Sequence, residues 1–316
     1  MRNRTTPLPY ILFNHQQKAQ AFVQALSPIY TPIPRTDRRY KSARFVLSDN
    51  HVLTRGTRLE VLRRDGLRNF FIYPHAARPS LISAFYPPWK HITAQFVVNE
   101  THIEVMRRIG CTETLYPVGW ALCPIIPFRP RSELKQVLFG PIHPRNSNVD
   151  KQANRAVTDR LYPLAIKGEI YLTVRYLPPF DGNGIKKVEH PNIKYIEGAA
   201  GPATTLEQID QADLVVGHQT FGFLAVARGV PTLMFGESMT PHVEMRDGTF
   251  TEARGWNDIK DLIVYPLDIL DSEDPMSLMW KTASDDSPIA GWRDRMIGEA
   301  FDPGRFMKIL RGCLRF

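Results

Sequence analysis

The sequence predicts an α/β protein made of two parallel-sheet domains in tandem. Three observations carry that reading. Short apolar runs alternate with amphipathic stretches along most of the chain, which is the βα pattern of a parallel sheet. The pattern stops at ALCPIIPFRPRSE (121–133), which holds Pro124, Pro127 and Pro130 and little periodicity, and then starts again. Proline fixes φ and removes a donor, so that stretch reads as an interdomain linker. The third observation is length: 316 residues suits two domains of about 130 to 180 residues better than one core.

Each element follows from its own pattern. PYILFN (9–14) reads as a first strand, and QQKAQAFVQAL places Ala19, Phe22, Val23 and Leu26 at helical spacing. IYTPIP is a short strand and ARFVLSD (43–49) a clear one. RGTRLEVLRRDG is a helix ended by Gly66; NFFIYPH (69–75) and AQFVVN (94–99) are strands; THIEVMRRIG is a helix ended by Gly110; TLYPVGW closes the half. The second half opens at KQVLFGPIHP (135–144) and continues with YLTVRYL (171–177) and KYIEG (194–198). A helix TLEQIDQA then leads into DLVVG (213–217), FGFLAVARG and VPTLMFG (230–236). Two Rossmann-like domains are expected at 1–125 and 126–290, with a helical tail at 291–316.

Composition narrows the class. With 43% hydrophobic and 23% charged residues the chain is an ordinary globular one. No run of about 18 apolar residues exists, so no transmembrane helix is expected. The apolar part of MRNRTTPLPYILF is too short for a signal peptide and lacks a small-residue cleavage site. Cys111, Cys123 and Cys313 are widely spaced and odd in number, giving neither a zinc site nor a disulfide framework; a reduced, cytoplasmic protein is expected. The acids at 271–274 and 285–286 read as exposed loops, so no metal is called for. The absence of a Walker A loop and of GxGxxG disfavours an ATPase or a dinucleotide oxidoreductase.

Charge is uneven. Residues 1–130 carry 18 Lys and Arg against 7 Asp and Glu, and the rest carry 22 against 25. Such asymmetry points to a polyanionic partner for the basic half. Arg35, Arg38, Arg39, Lys41 and Arg44 form one group, and Arg55, Arg58, Arg63, Arg64 and Arg68 another. Arginine's planar fork suits phosphate. A solvated basic face is the plainer explanation.

The stretch richest in chemistry is ADLVVGHQTFGFLAVARGVPTLMFGE (212–237). A buried strand ends in Gly217-His218-Gln219-Thr220 and runs straight into a helix. Open α/β sheets bind ligands at the C-terminal ends of their strands, and a helix start offers N–H groups and positive charge to phosphate. Thr220 would cap that helix or donate to a diphosphate oxygen. The alternative is an ordinary βαβ unit with a Thr cap and an exposed His218.

The run strand–polar loop–helix–ARGVPTL resembles the donor-site element of GT-B glycosyltransferases. It is similar too to the non-hydrolysing UDP-sugar 2-epimerases and the CDP-glycerol polymerases, which share that fold. FVVNETHIEVMRRIGCTETLYPVGWAL (96–122) resembles the last strand–helix–strand of such N-domains, and VLFGPIHPR (137–145) the first strand and loop of their C-domains. The resemblance spans roughly residues 10–265 and implies two Rossmann-like domains facing across a cleft. It implies a nucleotide sugar, UDP-linked, as co-substrate and no metal. Donor binding would fall to Gly140, His143, Arg145, Arg175, Glu197, Gly198, His218, Gln219, Thr220 and Glu237. Arg175 pairing with an acid and Gly198 making a plain turn are the alternatives.

Transfer needs a base near neutrality for the acceptor proton. His15, Asp49 and His75 end expected strands of the first half. The His75 loop, YPHAARPS, resembles the histidine loop of the polymerases and epimerases but lacks the polymerases' His-Gly. Arg78 beside it could hold an acceptor phosphate. Bacteriophage DNA glucosyltransferases combine this fold with a basic cleft, so the favoured expectation is transfer to a hydroxymethylated pyrimidine in double-stranded DNA. The aromatic run FYPPW (85–89) is a candidate apolar patch for a membrane surface and could equally wedge into a base stack. The alternatives are a cell-wall or lipid glycosyl- or glycerophosphotransferase, a UDP-sugar epimerase, and a non-catalytic nucleic-acid-binding protein on the same scaffold.

Overall fold

A computed structural model describes residues 9–13, 20–34, 36–49, 58–73, 92–108, 111–142, 148–198, 202–235, 242–244, 250–252 and 265–314. The chain divides into two compact units. The first takes Met1–Leu122, Pro241–Lys260 and Met296–Phe316, and the second Cys123–Thr240 and Asp261–Arg295.

The first unit contains β1 (Tyr10–Phe13), α1 (Gln20–Leu26), β2 (Thr31–Ile33), β3 (Val46–Asp49), α2 (Arg58–Arg64), β4 (Phe70–Tyr73), β5 (Ile92–Val97), α3 (Glu100–Arg108) and β6 (Leu115–Pro117). Its six strands are parallel in the order β2-β1-β3-β4-β5-β6. Successive residues of a strand serve opposite faces. Phe13, Leu47, Phe71 and Tyr73 join one core cluster, and Leu12, Val46, Phe70 and Ile72 another. Both faces are therefore dry, which is why these strands read as unbroken apolar runs.

The second unit contains β7 (Gln136–Phe139), α4 (Asn148–Ile166), β8 (Tyr171–Tyr176), β9 (Ile193–Glu197), α5 (Pro202–Asp210), β10 (Leu214–Gly217), α6 (Gln219–Ala227) and β11 (Thr232–Met234). Its parallel order is β11-β10-β7-β8-β9. The antiparallel pair that follows in sequence, β12 (His242–Glu244) with β13 (Phe250–Glu252), lies in the Pro241–Lys260 stretch of the first unit, after which the chain returns to the second. Then come α7 (Pro275–Ala283) and α8 (Pro288–Met296), whose buried Trp292 stacks on Phe223 at 5.4 Å. α4 has no counterpart in the sequence reading. Asn154 and Thr158, each 1% exposed, lie in its buried stripe with Val157, Leu161 and Ala165, and they break the apolar periodicity.

The last helix, α9 (Pro303–Cys313), is part of the first unit and not a separate tail. Asp302 caps it, accepting from Arg305 N at 2.9 Å. Phe306 and Leu310 sink into the first core, where the Phe306 ring meets Phe22 at 5.0 Å and Phe96 at 4.9 Å. The proline-rich stretch is likewise no loose linker. Ile126 N donates to Ala227 O, Arg129 N to Gly229 O and Arg131 N to Ala283 O, so it is laid along the second unit.

Candidate functional site

In the second unit the strand order reverses between β7 and β10, the place where open α/β sheets take ligands. Two glycines end those strands. A Cβ on Gly140 would stand 2.3 Å from Phe221 Cδ1, and one on Gly217 would stand 2.9 Å from Gly222 Cα. Their missing side chains let α6 begin directly against the strand ends. His218 is the N-cap, with φ −129° and ψ 142°, and its side chain makes no capping bond. The first-turn N–H groups of α6 therefore draw no side-chain acceptor from the cap, and a phosphate is one group that can meet such donors. Two expectations change here. Thr220 is not the cap but the second helical residue, half-buried, and His218 is only 7% exposed with its ring 5.6 Å from Phe235.

Arg175, near the end of β8, reaches the same place. Its Cζ lies 5.4 Å from the centre of the Phe221 ring. Nε donates to Gln208 Oε1 at 2.9 Å, and Nη2 donates to Gly198 O at 2.8 Å and Thr205 Oγ1 at 2.9 Å. All three acceptors are neutral, so the expected acid partner is not what holds it. Burial lowers its pKa from the ordinary guanidinium value. A half-buried cation without an anion beside it carries part of that desolvation cost, and it is suited to an anionic ligand.

Gly198 is buried, and a Cβ there would stand 2.7 Å from Arg175 Nη1, so this glycine makes room for the guanidinium and not only a turn. Glu197, in register with Tyr176, is exposed. Gln219 opens α6. His143, Arg145 and Glu237 lie outside the described residues. Sequence reasoning missed Phe221, Gln208, Thr205 and Asn154. Asn154 Oδ1 accepts from Ile142 N at 2.8 Å, while its Nδ2 donates to Ile142 O and Asn183 O, bracing the turn after β7. A phenylalanine in a helix reads as core, and Phe221 emerges as the hub from its contacts with Gly140, Gly217 and Arg175. An open cavity of about 250 Å³ lined by Gln136, Thr173, Lys194 and Gln208 touches this group only through Gln208.

The ARGVPTL motif is structural. Arg228 forms a two-pronged pair with Asp210 at 2.9 and 2.6 Å, and Gly229 adopts φ +70° where a Cβ would stand 2.0 Å from Pro127 O.

In the first unit, β1 and β3 flank the reversal of strand order, and Asp49 ends β3 opposite Tyr73. His15, His75, Arg78 and the FYPPW run lie outside the described residues, as do Arg35 and Arg55. Arg58 begins α2. Arg39 is committed to Asp37 at 2.6 Å, and its hydrogen bonds lower that carboxyl to about 2. Among the described residues no group of three or more His, Cys, Asp or Glu could hold a metal ion, and no helix is long and apolar enough to cross a membrane.

No protein-family model and no curated protein sequence matches the chain. Solved structures do. The S. aureus MnaA–UDP structure superposes with a TM-score of 0.56 at 10% identity, over 96% of this chain and 95% of that one. The wall teichoic acid polymerase TagF gives 0.54 at 10% identity, over 98% and 89%. Against a chain of the GtfA/B complex the values are 0.44 and 12% over 86% of this chain, which spans 57% of that one.

Proposed function

Because the chain has the GT-B fold, we propose that it is a glycosyltransferase that moves a sugar from a nucleotide sugar, UDP-linked, to a hydroxyl acceptor. One observation carries the reading. Gly140, Gly217 and Arg175 converge on Phe221 beside the His218-capped start of α6, at the switch point of the second unit. The MnaA structure has UDP bound, and a UDP diphosphate suits this edge: helix N–H groups and a half-buried guanidinium converge where its oxygens would lie.

In this reading the bond from the anomeric carbon to the diphosphate oxygen breaks as the acceptor oxygen bonds to that carbon. Negative charge grows on the departing diphosphate, and fixed donors gain most at that moment. The α6 start and Arg175 supply that stabilisation without a metal ion. The acceptor proton passes to a base of the first unit, with Asp49, His75 and His15 as candidates. The acceptor is a hydroxymethylated pyrimidine in double-stranded DNA, supported by the 18 to 7 excess of basic over acidic residues in 1–130. Likeness to TagF, a wall teichoic acid polymerase, supports a second reading in which the acceptor is a cell-wall polymer.

A thermal-shift screen of nucleotide sugars followed by a labelled-sugar transfer assay tests both. UDP-sugars at millimolar concentration should raise the melting temperature, since they bind only folded protein. Label should then pass to hydroxymethylated duplex and not to unmodified duplex. No stabilisation by any nucleotide sugar would sink the donor assignment, and label entering wall polymer instead of DNA would select the second reading.

A further inference from the structure

In the first unit the described parts of the two arginine groups are joined through their neighbours. Tyr40, in the 3-10 turn Arg38–Ser42, donates its hydroxyl to Asp65 just past α2, and Lys41 Nζ lies 3.5 Å from the same carboxylate. Tyr40 and Ala43 also pack against the cluster of Leu62, Leu67 and Phe70. The turn and the end of α2 are thus held as one piece, with Asp65 as the joint.

Around that joint Arg38, Arg44, Arg63, Arg64 and Arg68 are exposed. Other arginines are spent on carboxylates: Arg39 on Asp37, Arg108 on Glu104, Arg228 on Asp210, Arg305 on Glu299 and Asp302. The five have no carboxylate partner among the described residues, and Arg68 reaches only the carbonyls of Arg63 and Leu67.

We propose that this surface binds the phosphodiester backbone of duplex DNA. The proposal deepens the acceptor side of the reading above and rests on it only for the sugar chemistry. Three features favour duplex over other anions. All five free cations are arginines, whose forks match phosphate oxygens in pairs. They are set on a braced scaffold, which suits a stiff polyanion carrying a charge about every 1.7 Å and bending only over about 50 nm. A membrane-surface site adds exposed apolar side chains. The exposed large hydrophobics among the described residues, Ile166, Tyr171 and Trp280, all belong to the second unit.

The test is fluorescence anisotropy with a 20-base-pair duplex at several salt concentrations and without nucleotide sugar. Five contacts predict a slope of log affinity against log salt approaching roughly −4.5, and Arg63→Ala with Arg64→Ala should flatten it by about 2. Asp65→Ala separates a built surface from diffuse charge. Removing an acid raises the net positive charge, so diffuse attraction predicts tighter binding, whereas loss of the joint predicts binding several-fold weaker. Tighter binding in Asp65→Ala, an unchanged slope in the double variant, or preference for phosphatidylglycerol vesicles over duplex would each overturn the proposal. Stabilisation by UDP-sugar, measured on the same proteins without DNA, reports separately on the donor site. It should be unchanged in both variants.

Discussion

The two units handle positive charge in opposite ways. In the first, five arginines stand in water around a braced joint. In the second, Arg175 is half-buried against Phe221 and bonded only to neutral acceptors. Solvated charge acts at range and is screened by salt, while desolvated charge acts at contact and resists screening. A long polyanion gains from the first arrangement and one small ligand from the second. The lesson is that a count of basic residues cannot locate a binding site; the state of solvation of each one separates the roles.

The largest expected effect breaks the comparison at its base. Phe306→Ala removes the side chain that ties α9 to Phe22 and Phe96, and should cost about 3–5 kcal/mol. Because Phe306 serves the first core alone, chemical denaturation should show a destabilised first transition while UDP-sugar still protects the second. Equal loss in both transitions would mean that the units do not melt separately.

Next comes pH. His102, on α3, is fully buried, with Nε2 2.8 Å from Met296 O, and burial lowers its pKa from 6.5 to about 4. The carbonyl accepts, so Nε2 carries the hydrogen and the folded ring is neutral. An unfolded chain binds a proton at 6.5 that the folded chain refuses until about 4. Stability is therefore full above pH 6.5 and is lost as pH falls toward 4, by up to roughly 3 kcal/mol. Urea melts of His102→Gln should lose that dependence while keeping the pH response of the rest. The effect should appear in the first unit's transition.

A pair of variants sharpens the contrast within the second unit. Arg175→Met should weaken UDP-sugar binding by about 10- to 30-fold, as expected for losing a charged donor, and leave stability level or improved. Arg228→Met should do the reverse, costing about 1–2 kcal/mol through the abandoned Asp210 and leaving donor binding alone. Calorimetric titration and melting of both proteins separate the outcomes. Similar affinity losses in the two would end the distinction between a gripping and a bracing arginine.

How far these roles could be read from sequence depends on the residue. Strands such as FFIY and LVVG were legible because both sheet faces are dry and the apolar run is continuous. The helix α4 was not, because its buried stripe contains Asn154 and Thr158. α9 reads as a tail from sequence because its partners, Phe22 and Phe96, stand 284 and 210 residues before Phe306 in the chain. ARGVPTL was conspicuous through its glycine and proline, yet its residues brace the fold. At the candidate site, His218 follows from its strand end and Gly140 and Arg175 from the family resemblance, while Phe221 does not, since an aromatic in a helix carries no mark of what it touches.

The smallest effect is the finest probe. Thr220 sits at the second position of α6, half-buried, with His218 as cap. Were it the cap, Thr220→Ala would cost about 1 kcal/mol of stability. At its observed position alanine is the better helix former, so melting should hold or rise slightly. A hydroxyl that donates to a diphosphate oxygen is worth about 0.5–1.5 kcal/mol, so UDP-sugar affinity should fall roughly 2- to 12-fold. The two readouts move in opposite directions only if the start of α6 faces a ligand. A drop in stability with affinity unchanged would return Thr220 to the fold and leave Arg175 as the chief contact for the diphosphate.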